Sequence, residues 1–154
     1  MADDSIKVVS TNRRARHEYH IEETLEVGIV LTGTEIKSVR AGRVNIQDAY
    51  VTAKEGEMWA LNMHISPYDP GHREQHEPLR PRKLLMHKRE IAKWAEEVQR
   101  KGFTIVALRM YLKRGRAKLE IALAKGKKLY DKRQNIAERD AQRRIDRAMA
   151  ERRR

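Results

Sequence analysis

Short segments in which apolar and polar residues alternate, joined by turn residues, most restrict the fold of this 154-residue chain. A period of two is typical of a β-strand with one buried face. It predicts strands in residues 17–31, in Ile46–Ala53 and Met58–Ile65, and on both sides of Arg114-Gly115. In the last of these strands, one face carries Leu119, Ile121 and Leu123. Glu55-Gly56 joins the middle pair as a hairpin, because glycine tolerates the positive φ that such turns need.

Two segments have helical spacing instead. In RKLLMHKREIAKWAEEVQRKG, residues 82–102, apolar side chains recur at helical intervals and Gly102 is a stop signal. The apolar positions are Leu84, Leu85, Ile91, Trp94, Ala95 and Val98. A shorter helix is predicted in TGTEIKSVRAGR, with Thr34 as its N-cap and Gly42 at its end. Gly28 is a candidate bulge in the first strand, and the proline-containing segment 66–81 is predicted to be an irregular loop.

These elements predict an α+β protein that is mainly β, with one long and one short helix. Short antiparallel strands in a chain of this size favour a partly closed barrel of the oligonucleotide-binding (OB) type, although the pattern also fits an open α+β sandwich. We predict one barrel domain over residues 1–130, which begins with a flexible lead-in over residues 1–11, and a tail over residues 131–154.

The tail differs in composition from the barrel. Residues 131–154 carry 9 basic and 5 acidic side chains, no Gly or Pro, and only Ile136, Ile145 and Met149 as sizeable apolar groups. Burying so little apolar area does not offset the conformational entropy that the tail would lose on ordering. Its Ala, Arg, Glu and Gln residues nevertheless have a high propensity for helix. We predict a tail that is disordered when free and becomes helical on a polyanion.

Charge is distributed very unevenly along the chain. Residues 1–70 carry 8 basic and 11 acidic side chains, whereas residues 71–154 carry 26 basic and 11 acidic ones. A field of this kind attracts polyanions by neutralising phosphates and releasing counterions. Because aromatic residues make up only 5% of the chain, recognition of a folded RNA by shape and backbone is favoured over base stacking along a single strand.

Other classes of function have little support in the sequence. The chain has no cysteine, so disulfides, thiol catalysis and cysteine-based zinc sites are excluded. No apolar run is long enough for a membrane span and no signal peptide is evident, which predicts a cytoplasmic protein. His72 and His76 are four residues apart but have no third ligand nearby in sequence. We therefore predict no metal, no cofactor and no enzymatic activity.

Several strings in the chain closely resemble the SsrA-binding protein family, also called small protein B. They are NRRARHEYHIEETLEVGIVLTGTEIKSVRAG, NMHISPY, RPRKLLMHKREI and LAKGKKLYDKR, and the resemblance runs in order from Asn12 to the C-terminus. It implies an OB-like barrel that binds the tRNA-like domain of transfer-messenger RNA (tmRNA). It also implies a non-catalytic role in trans-translation, the rescue of ribosomes stalled on messages without a stop codon.

The same resemblance implies the partners. The tail would occupy the empty messenger-RNA channel and decoding centre of the small ribosomal subunit and contact its rRNA. Elongation factor Tu and alanyl-tRNA synthetase would be reached indirectly, through tmRNA, and the protein would act as a monomer. An alternative is a structural or assembly protein of the ribosome that binds rRNA; an RNA-processing enzyme would lack a candidate site.

Individual RNA-binding residues follow from the resemblance. Tyr19 could instead be a core residue, and Glu26 is either an acceptor for an RNA amine or 2′-hydroxyl or a salt-bridge partner of a basic side chain. The full set for tmRNA is Asn12, Arg13, Tyr19, Glu26, Arg40, Arg82, Lys83, His87 and Lys118.

The ribosome-binding residues come from the GKKLYDKR match and the tail. In this interpretation Lys132 and Arg133 pair with rRNA phosphates and Tyr130 stacks on a base. Ala141 stands where many relatives have Trp, which removes an aromatic anchor from the middle of the tail. The full set is Gly126, Lys127, Lys128, Tyr130, Asp131, Lys132, Arg133, Ile136, Ile145 and Met149.

Overall fold

A computed structural model describes residues 5–68, 76–127, 143, 144 and 147. Within residues 5–68 and 76–127, strands alternate with three helices in an α+β arrangement that is mainly β. The strands are β1 (Ile6–Thr11), β2 (Tyr19–Ile29), β3 (Val44–Asn45), β4 (Tyr50–Lys54), β5 (Glu57–Leu61), β6 (His64–Ile65), β7 (Arg82–Leu85), β8 (Thr104–Lys113) and β9 (Arg116–Gly126). The helices are α1 (Arg13–Glu18), α2 (Gly33–Arg40) and α3 (Lys88–Lys101).

The main sheet closes on itself. Its strand order is β1-β8-β4-β5-β7-β2-β9, and β9 pairs again with β8, so six strands form a barrel and β1 lies beside β8. The pairings in this sheet are antiparallel. The OB-like barrel predicted from the sequence is therefore confirmed, and the open sandwich is not observed.

Both predicted hairpin turns are present. Glu55 and Gly56 have φ values of 54° and 74°, and Arg114 and Gly115 have φ values of 52° and 76°. Two consecutive residues with positive φ give the turn twist that matches the right-handed twist of the flanking strands. Glycine at the second position removes the steric penalty of a Cβ there.

Helix α2 begins two residues earlier than predicted. Its N-cap is Thr32 rather than Thr34: the Thr32 side chain accepts from the Glu35 N–H at 3.4 Å, and the Thr32 N–H donates to Glu35 Oε1 at 2.8 Å. This reciprocal capping box satisfies two backbone donors at once. Gly42, just beyond the C-cap, has a φ of 75° and ends the helix as predicted.

Helix α3 is shorter than predicted at its start. It begins at Lys88, and the preceding residues Arg82–Leu85 form β7. Leu84 is 1% exposed and Leu85 is 57% exposed, an alternation that belongs to a strand. The helical interpretation of Leu84 and Leu85 was therefore wrong, whereas Gly102 ends α3 in the left-handed conformation as predicted.

The N-terminal region is more ordered than the sequence indicated. The flexible lead-in predicted over residues 1–11 is wrong for Ile6–Thr11, which pair with β8 as β1. Residues 13–18 form α1, a helix that the sequence pattern did not predict because one turn and a half leaves too few apolar positions. The irregular pairing in β2 lies between Ile21 and Glu23, not at Gly28.

Gly28 has a different structural role. It pairs with Leu85 of β7, and a Cβ added to Gly28 would lie 3.1 Å from Leu85 Cδ1. Glycine therefore allows a close approach of these two strands.

Apolar side chains pack in two clusters, one on each side of the barrel wall. The larger fills the barrel interior and includes Leu119, Ile121 and Leu123, as predicted. The smaller lies outside the wall, where Ala15 of α1 covers four residues of β8 and β9 and where Tyr19 and Ile21 pack against them. The four covered residues are Val106, Leu108, Ala122 and Ala124. Thus α1 shields one end of the outer surface of β8 and β9 and leaves the other end open.

Candidate nucleic-acid interface

Beyond the part that α1 covers, a row of residues crosses five strands on the outer wall of the barrel. We call this row, Val8, Tyr111, Lys118, Gly28 and Leu85, the outer row; each residue is paired in register with the next. Paired residues lie on the same face of a sheet, and the sequence neighbours of Lys118 and Tyr111 point into the core. The outer row therefore faces away from the barrel interior.

A cleft of about 500 Å³ lies beside the outer row, at the β8–β9 turn. We call it the hairpin cleft; it is lined by Glu26, Lys113, Arg114, Arg116 and Lys118. Both ends of the turn contribute basic side chains, and the neighbouring strand β2 contributes a single carboxylate. Four cations at one concave surface form an arrangement suited to phosphate groups.

Glu26 is held in place by two partners. The Tyr111 hydroxyl donates a short hydrogen bond to Glu26 Oε2, and Lys113 Nζ lies 3.6 Å from Glu26 Oε1. The Tyr111 hydrogen bond, together with the charges of Lys113 and Lys118, outweighs desolvation and holds the pKa of Glu26 below its usual value. Burial and the bond to Glu26 raise the pKa of Tyr111, so at neutral pH an ionised carboxylate faces a neutral phenol.

Arg109 completes this part of the surface. Its guanidinium lies 4.9 Å from the centre of the Tyr111 ring, and its Nε is 3.5 Å from Glu120 Oε1. Glu120 pairs in register with Glu26 across β9 and β2. Two carboxylates opposite each other repel, and the cations beside each of them offset that repulsion.

The structure corrects the assignment of Arg82 to the RNA-facing surface. Its side chain is 0% exposed, and its Nε donates to Glu35 Oε2 at 2.6 Å. Arg80 Nη2 donates to the other oxygen of Glu35, also at 2.6 Å. Although burial alone would raise the pKa of Glu35, the hydrogen bonds from Arg80, Thr32 and Arg82 lower it to about 2.

Arg82 instead organises the chain around β7. Its Nη1 donates to the Met63 carbonyl at 2.5 Å and to the Pro78 carbonyl at 3.1 Å, and its Nη2 donates to the Glu77 carbonyl at 3.4 Å. The guanidinium thus links α2 and β7 with the β5–β6 connection and with the segment between β6 and β7. Its neighbour Lys83 lies on the opposite face of β7, on the side of Leu85.

The Asn12 side chain is also buried, and its role is structural. It is 6% exposed, its Nδ2 donates to the Ala107 carbonyl at 2.9 Å, and its Oδ1 accepts from the Ala15 N–H at 3.2 Å. This corrects its assignment as a direct RNA contact. Arg13 is exposed, and Tyr19 is half-buried against the α1 cluster, outside the barrel core.

Three further predicted residues are accessible but lie apart from the hairpin cleft lining. Arg40 is exposed at the end of α2, and its carbonyl accepts from Lys7 Nζ at 3.5 Å. Lys83 Nζ lies 3.4 Å from Glu57 Oε1. His87 is the exposed N-cap of α3, and its backbone N–H donates to Glu90 Oε1 at 3.0 Å.

Of the predicted ribosome-binding residues, the structure describes Gly126 and Lys127. Gly126 ends β9, and Lys127 Nζ donates to the Arg16 carbonyl at 3.0 Å, so the chain leaves the barrel beside α1. Lys128, Tyr130, Asp131, Lys132, Arg133, Ile136, Ile145 and Met149 lie outside the described residues.

Sequence reasoning missed two residues of the outer row that now stand out, Tyr111 and Leu85. The position of Tyr111 two residues before Lys113 could have placed both side chains on one face of a strand. Leu85 could not be recognised as exposed while residues 82–85 were interpreted as helix. Within the described residues, no three His, Asp or Glu side chains converge as a metal site would require, and no helix there is long and apolar enough to cross a membrane.

A small OB-like barrel with a cationic cleft on its outer wall belongs to the class of barrels built to bind nucleic acid. Comparison with known proteins gives the particular family. Residues 9–151 match the family described as SmpB protein. The SsrA-binding protein of Roseiflexus castenholzii is 58% identical over 147 residues, 95% of this chain and 93% of that protein. The chain therefore belongs to the SmpB family.

Other relatives agree. The SsrA-binding proteins of Desulfitobacterium hafniense and Moorella thermoacetica are 55% and 58% identical, with 96% of this chain aligned in both cases. A solved structure presented as "tmRNA-SmpB: a journey to the center of the bacterial ribosome" matches with a TM-score of 0.64 and 46% identity. That match covers 76% of this chain and 82% of the solved one.

Proposed function

We propose that this protein is an RNA-binding adaptor of trans-translation: it binds the tRNA-like domain of tmRNA and delivers it to stalled ribosomes. Membership of the SmpB family carries this conclusion, since its relatives are SsrA-binding proteins and the solved relative is described with tmRNA at the bacterial ribosome. The same observations favour an adaptor over a structural protein of the ribosome.

The outer row and the hairpin cleft are the proposed surface for tmRNA. Lys113, Arg116 and Lys118 supply charge for the RNA backbone, and the exposed Leu85 supplies an apolar contact beside them. Arg13, Tyr19, Arg40, Lys83 and His87 remain proposed peripheral contacts, because they are accessible at least in part. Asn12 and Arg82 contribute by shaping α1 and β7.

The tail is the proposed surface for the ribosome. Residues 131–154 would become helical in the empty messenger-RNA channel, with ordering offset by charge-assisted contacts to rRNA phosphates. In this proposal the protein acts in the cytoplasm, performs no catalytic step itself and meets elongation factor Tu and alanyl-tRNA synthetase through tmRNA.

A variant that changes only the tail tests this division. We expect D131A/K132A/R133A to bind the tRNA-like domain with nearly unchanged affinity but to abolish peptide tagging on stalled ribosomes. Binding is measured by gel shift at physiological salt, with ordinary tRNA as competitor, and tagging is measured in a reconstituted translation reaction. If the wild-type protein bound both RNAs equally, the proposed function would be wrong; if the variant lost RNA affinity as strongly as tagging, the two-surface division would be wrong.

A further inference from the structure

A second group of exposed cations lies on α2 and the turn that follows it, outside the hairpin cleft lining. Lys37 and Arg40 are three residues apart on the helix, Arg43 follows three residues later, and all three residues are exposed. Glu35, the acidic residue of α2, is buried and paired with two arginines, so it offsets little of this surface charge. Such a group of cations attracts an anionic ligand.

An aromatic ring lies among these cations. Lys37 Nζ is 5.6 Å from the centre of the Tyr68 ring, and Tyr68 is 44% exposed. The backbone just before Tyr68 is bonded to α2 and its turn: Ser38 Oγ donates to the Ser66 carbonyl at 2.6 Å, and the Ser66 N–H donates to the Arg43 carbonyl at 3.0 Å. An exposed ring on an anchored backbone can receive a flat ligand with a small loss of conformational entropy.

This second group lies next to the hairpin cleft on the barrel surface. We call it the α2 patch; it consists of Lys37, Arg40, Arg43 and Tyr68. Lys7 of β1 connects it to the cleft, since Lys7 Nζ donates to the Arg40 carbonyl at 3.5 Å. Lys7 also pairs in register with Leu112, the neighbour in sequence of Lys113 in the cleft lining. One RNA can therefore extend from the hairpin cleft to the α2 patch.

We propose that the α2 patch is a second contact site for the bound RNA, in which Tyr68 stacks on one unpaired base. Lys37, Arg40 and Arg43 contact the phosphates on either side of that base. The inference rests on the proposed function and extends its RNA surface beyond the hairpin cleft. Stacking tolerates any base, and the neighbouring cations position the backbone. The low aromatic content of the chain disfavours a long stacking platform but is compatible with a single stacked base.

The first experiment changes the ring. Full-length wild-type protein, Tyr68→Phe and Tyr68→Leu are titrated with the tRNA-like domain by gel shift. We expect Tyr68→Leu to lose about tenfold in affinity, as is usual for one stacked base, and Tyr68→Phe to bind like the wild-type protein. Tyr50→Leu is the matched control and should bind normally, because Tyr50 is 39% exposed but lies beside α1. Wild-type affinity in Tyr68→Leu, or an equal loss in Tyr68→Phe, would overturn the stacking role.

The second experiment changes the RNA. Each unpaired nucleotide of the tRNA-like domain is replaced in turn by an abasic one. We expect one of these RNAs to lose about tenfold in affinity for the wild-type protein but to show no such loss with Tyr68→Leu, because both changes remove the same contact. If every abasic RNA lost the same affinity with both proteins, no base would be stacked on Tyr68 and the inference would be wrong.

The third experiment tests the phosphate contacts. Lys37→Gln/Arg40→Gln should reduce the slope of log affinity against log salt by about 1.5, since two phosphate contacts are lost. Arg100→Gln/Lys101→Gln removes the same charge from exposed positions on α3 and should leave the slope nearly unchanged. An equal reduction in both double variants would show that the effect comes from net charge and not from the α2 patch.

An acidic protein is another partner that a group of cations can bind. If the Tyr68→Leu and Lys37→Gln/Arg40→Gln proteins bound the RNA like the wild-type protein but failed in peptide tagging, the patch would serve such a partner and the inference would be overturned. Melting of each variant checks that it is folded. Failure of the proposed function looks different, since the unmodified tRNA-like domain would then bind the wild-type protein no better than ordinary tRNA.

Discussion

Glu35 shows how a single buried residue stabilises the edge of the proposed RNA surface. Its carboxylate is 0% exposed and accepts hydrogen bonds from both Arg80 and Arg82. A buried ion pair stabilises a fold only if each charge keeps its partners, and removing one partner from such a pair typically costs about 3–5 kcal/mol. Glu35 therefore determines whether Arg82 can remain inside, with Lys83 and Leu85 directed outward.

The first prediction concerns the pH dependence of this network. The pKa of Glu35 falls from 4.5 to about 2 on folding, so its stabilisation is fully present above pH 4.5 and is lost as pH falls toward 2. This pKa shift corresponds to a contribution of about 3 kcal/mol to the free energy of unfolding at neutral pH. In urea unfolding, we expect Glu35→Gln to be less stable than the wild-type protein by about this amount at pH 7, with the difference narrowing as pH is lowered.

A surface carboxylate provides the control. Glu96 forms an exposed i,i+4 pair with Arg100, and Glu96→Gln should change the free energy of unfolding by no more than about 1 kcal/mol. A destabilisation by Glu35→Gln that stayed constant between pH 7 and pH 3 would show that the charge of Glu35 is not what matters.

At the scale of elements, the β4–β5 hairpin depends on its backbone conformation. Gly56 has a φ of 74°, whereas Gly33, the first residue of α2, has no positive φ and no atom within 4 Å of an added Cβ. We expect Gly56→Ala to lower the free energy of unfolding by about 1 kcal/mol, and Gly33→Ala to raise it by up to about 1 kcal/mol. Thermal unfolding of both variants checks this; similar effects of the two alanines would contradict it.

The β8–β9 hairpin is the element that carries the proposed charge contacts. We expect Arg116→Ala/Lys118→Ala to weaken binding of the tRNA-like domain and to reduce the slope of log K against log salt by about 1.5–2, since two phosphate contacts are lost. The slope is measured by titrating the RNA at salt concentrations between about 50 and 300 mM.

The matched control removes the same charge from a different element. Arg100 and Lys101 are exposed on α3, where each forms a surface i,i+4 ion pair. Arg100→Ala/Lys101→Ala should leave most of the affinity and most of the slope in place. An equal reduction in both double variants would mean that binding responds to net charge and not to the hairpin cleft.

For the whole molecule, the sequence was informative where the determinants are local. Turn residues such as Glu55-Gly56 and the alternation of Leu119, Ile121 and Leu123 predicted the hairpins and the barrel class. The opposite directions of Arg82 and Lys83 could not be predicted, because they depend on which face of β7 meets Glu35, 47 residues away in the chain. The outer row depends on the register of five strands, which the pattern within each strand does not specify.

Helix α1 and strand β1 escaped prediction for a related reason. Six residues with one buried alanine give no helical periodicity, and Ile6–Thr11 form a strand through their pairing with β8. Helix α1 covers one end of the outer surface of β8 and β9, and β1 adds Val8 to the outer row at the other end. The location of the proposed interface therefore depends on the tertiary structure of the chain and not on any one segment of its sequence.

The most direct test of the account is to map the RNA-binding face on the full-length protein. Backbone amide resonances in a ¹⁵N–¹H correlation spectrum are followed while the tRNA-like domain is added. We predict that the largest changes occur at Gly28, Leu85, Tyr111 and Lys118, with the solvent face of α3 little affected. Changes concentrated on α3, with the outer row unperturbed, would contradict the central claim that the open end of the barrel wall binds the RNA.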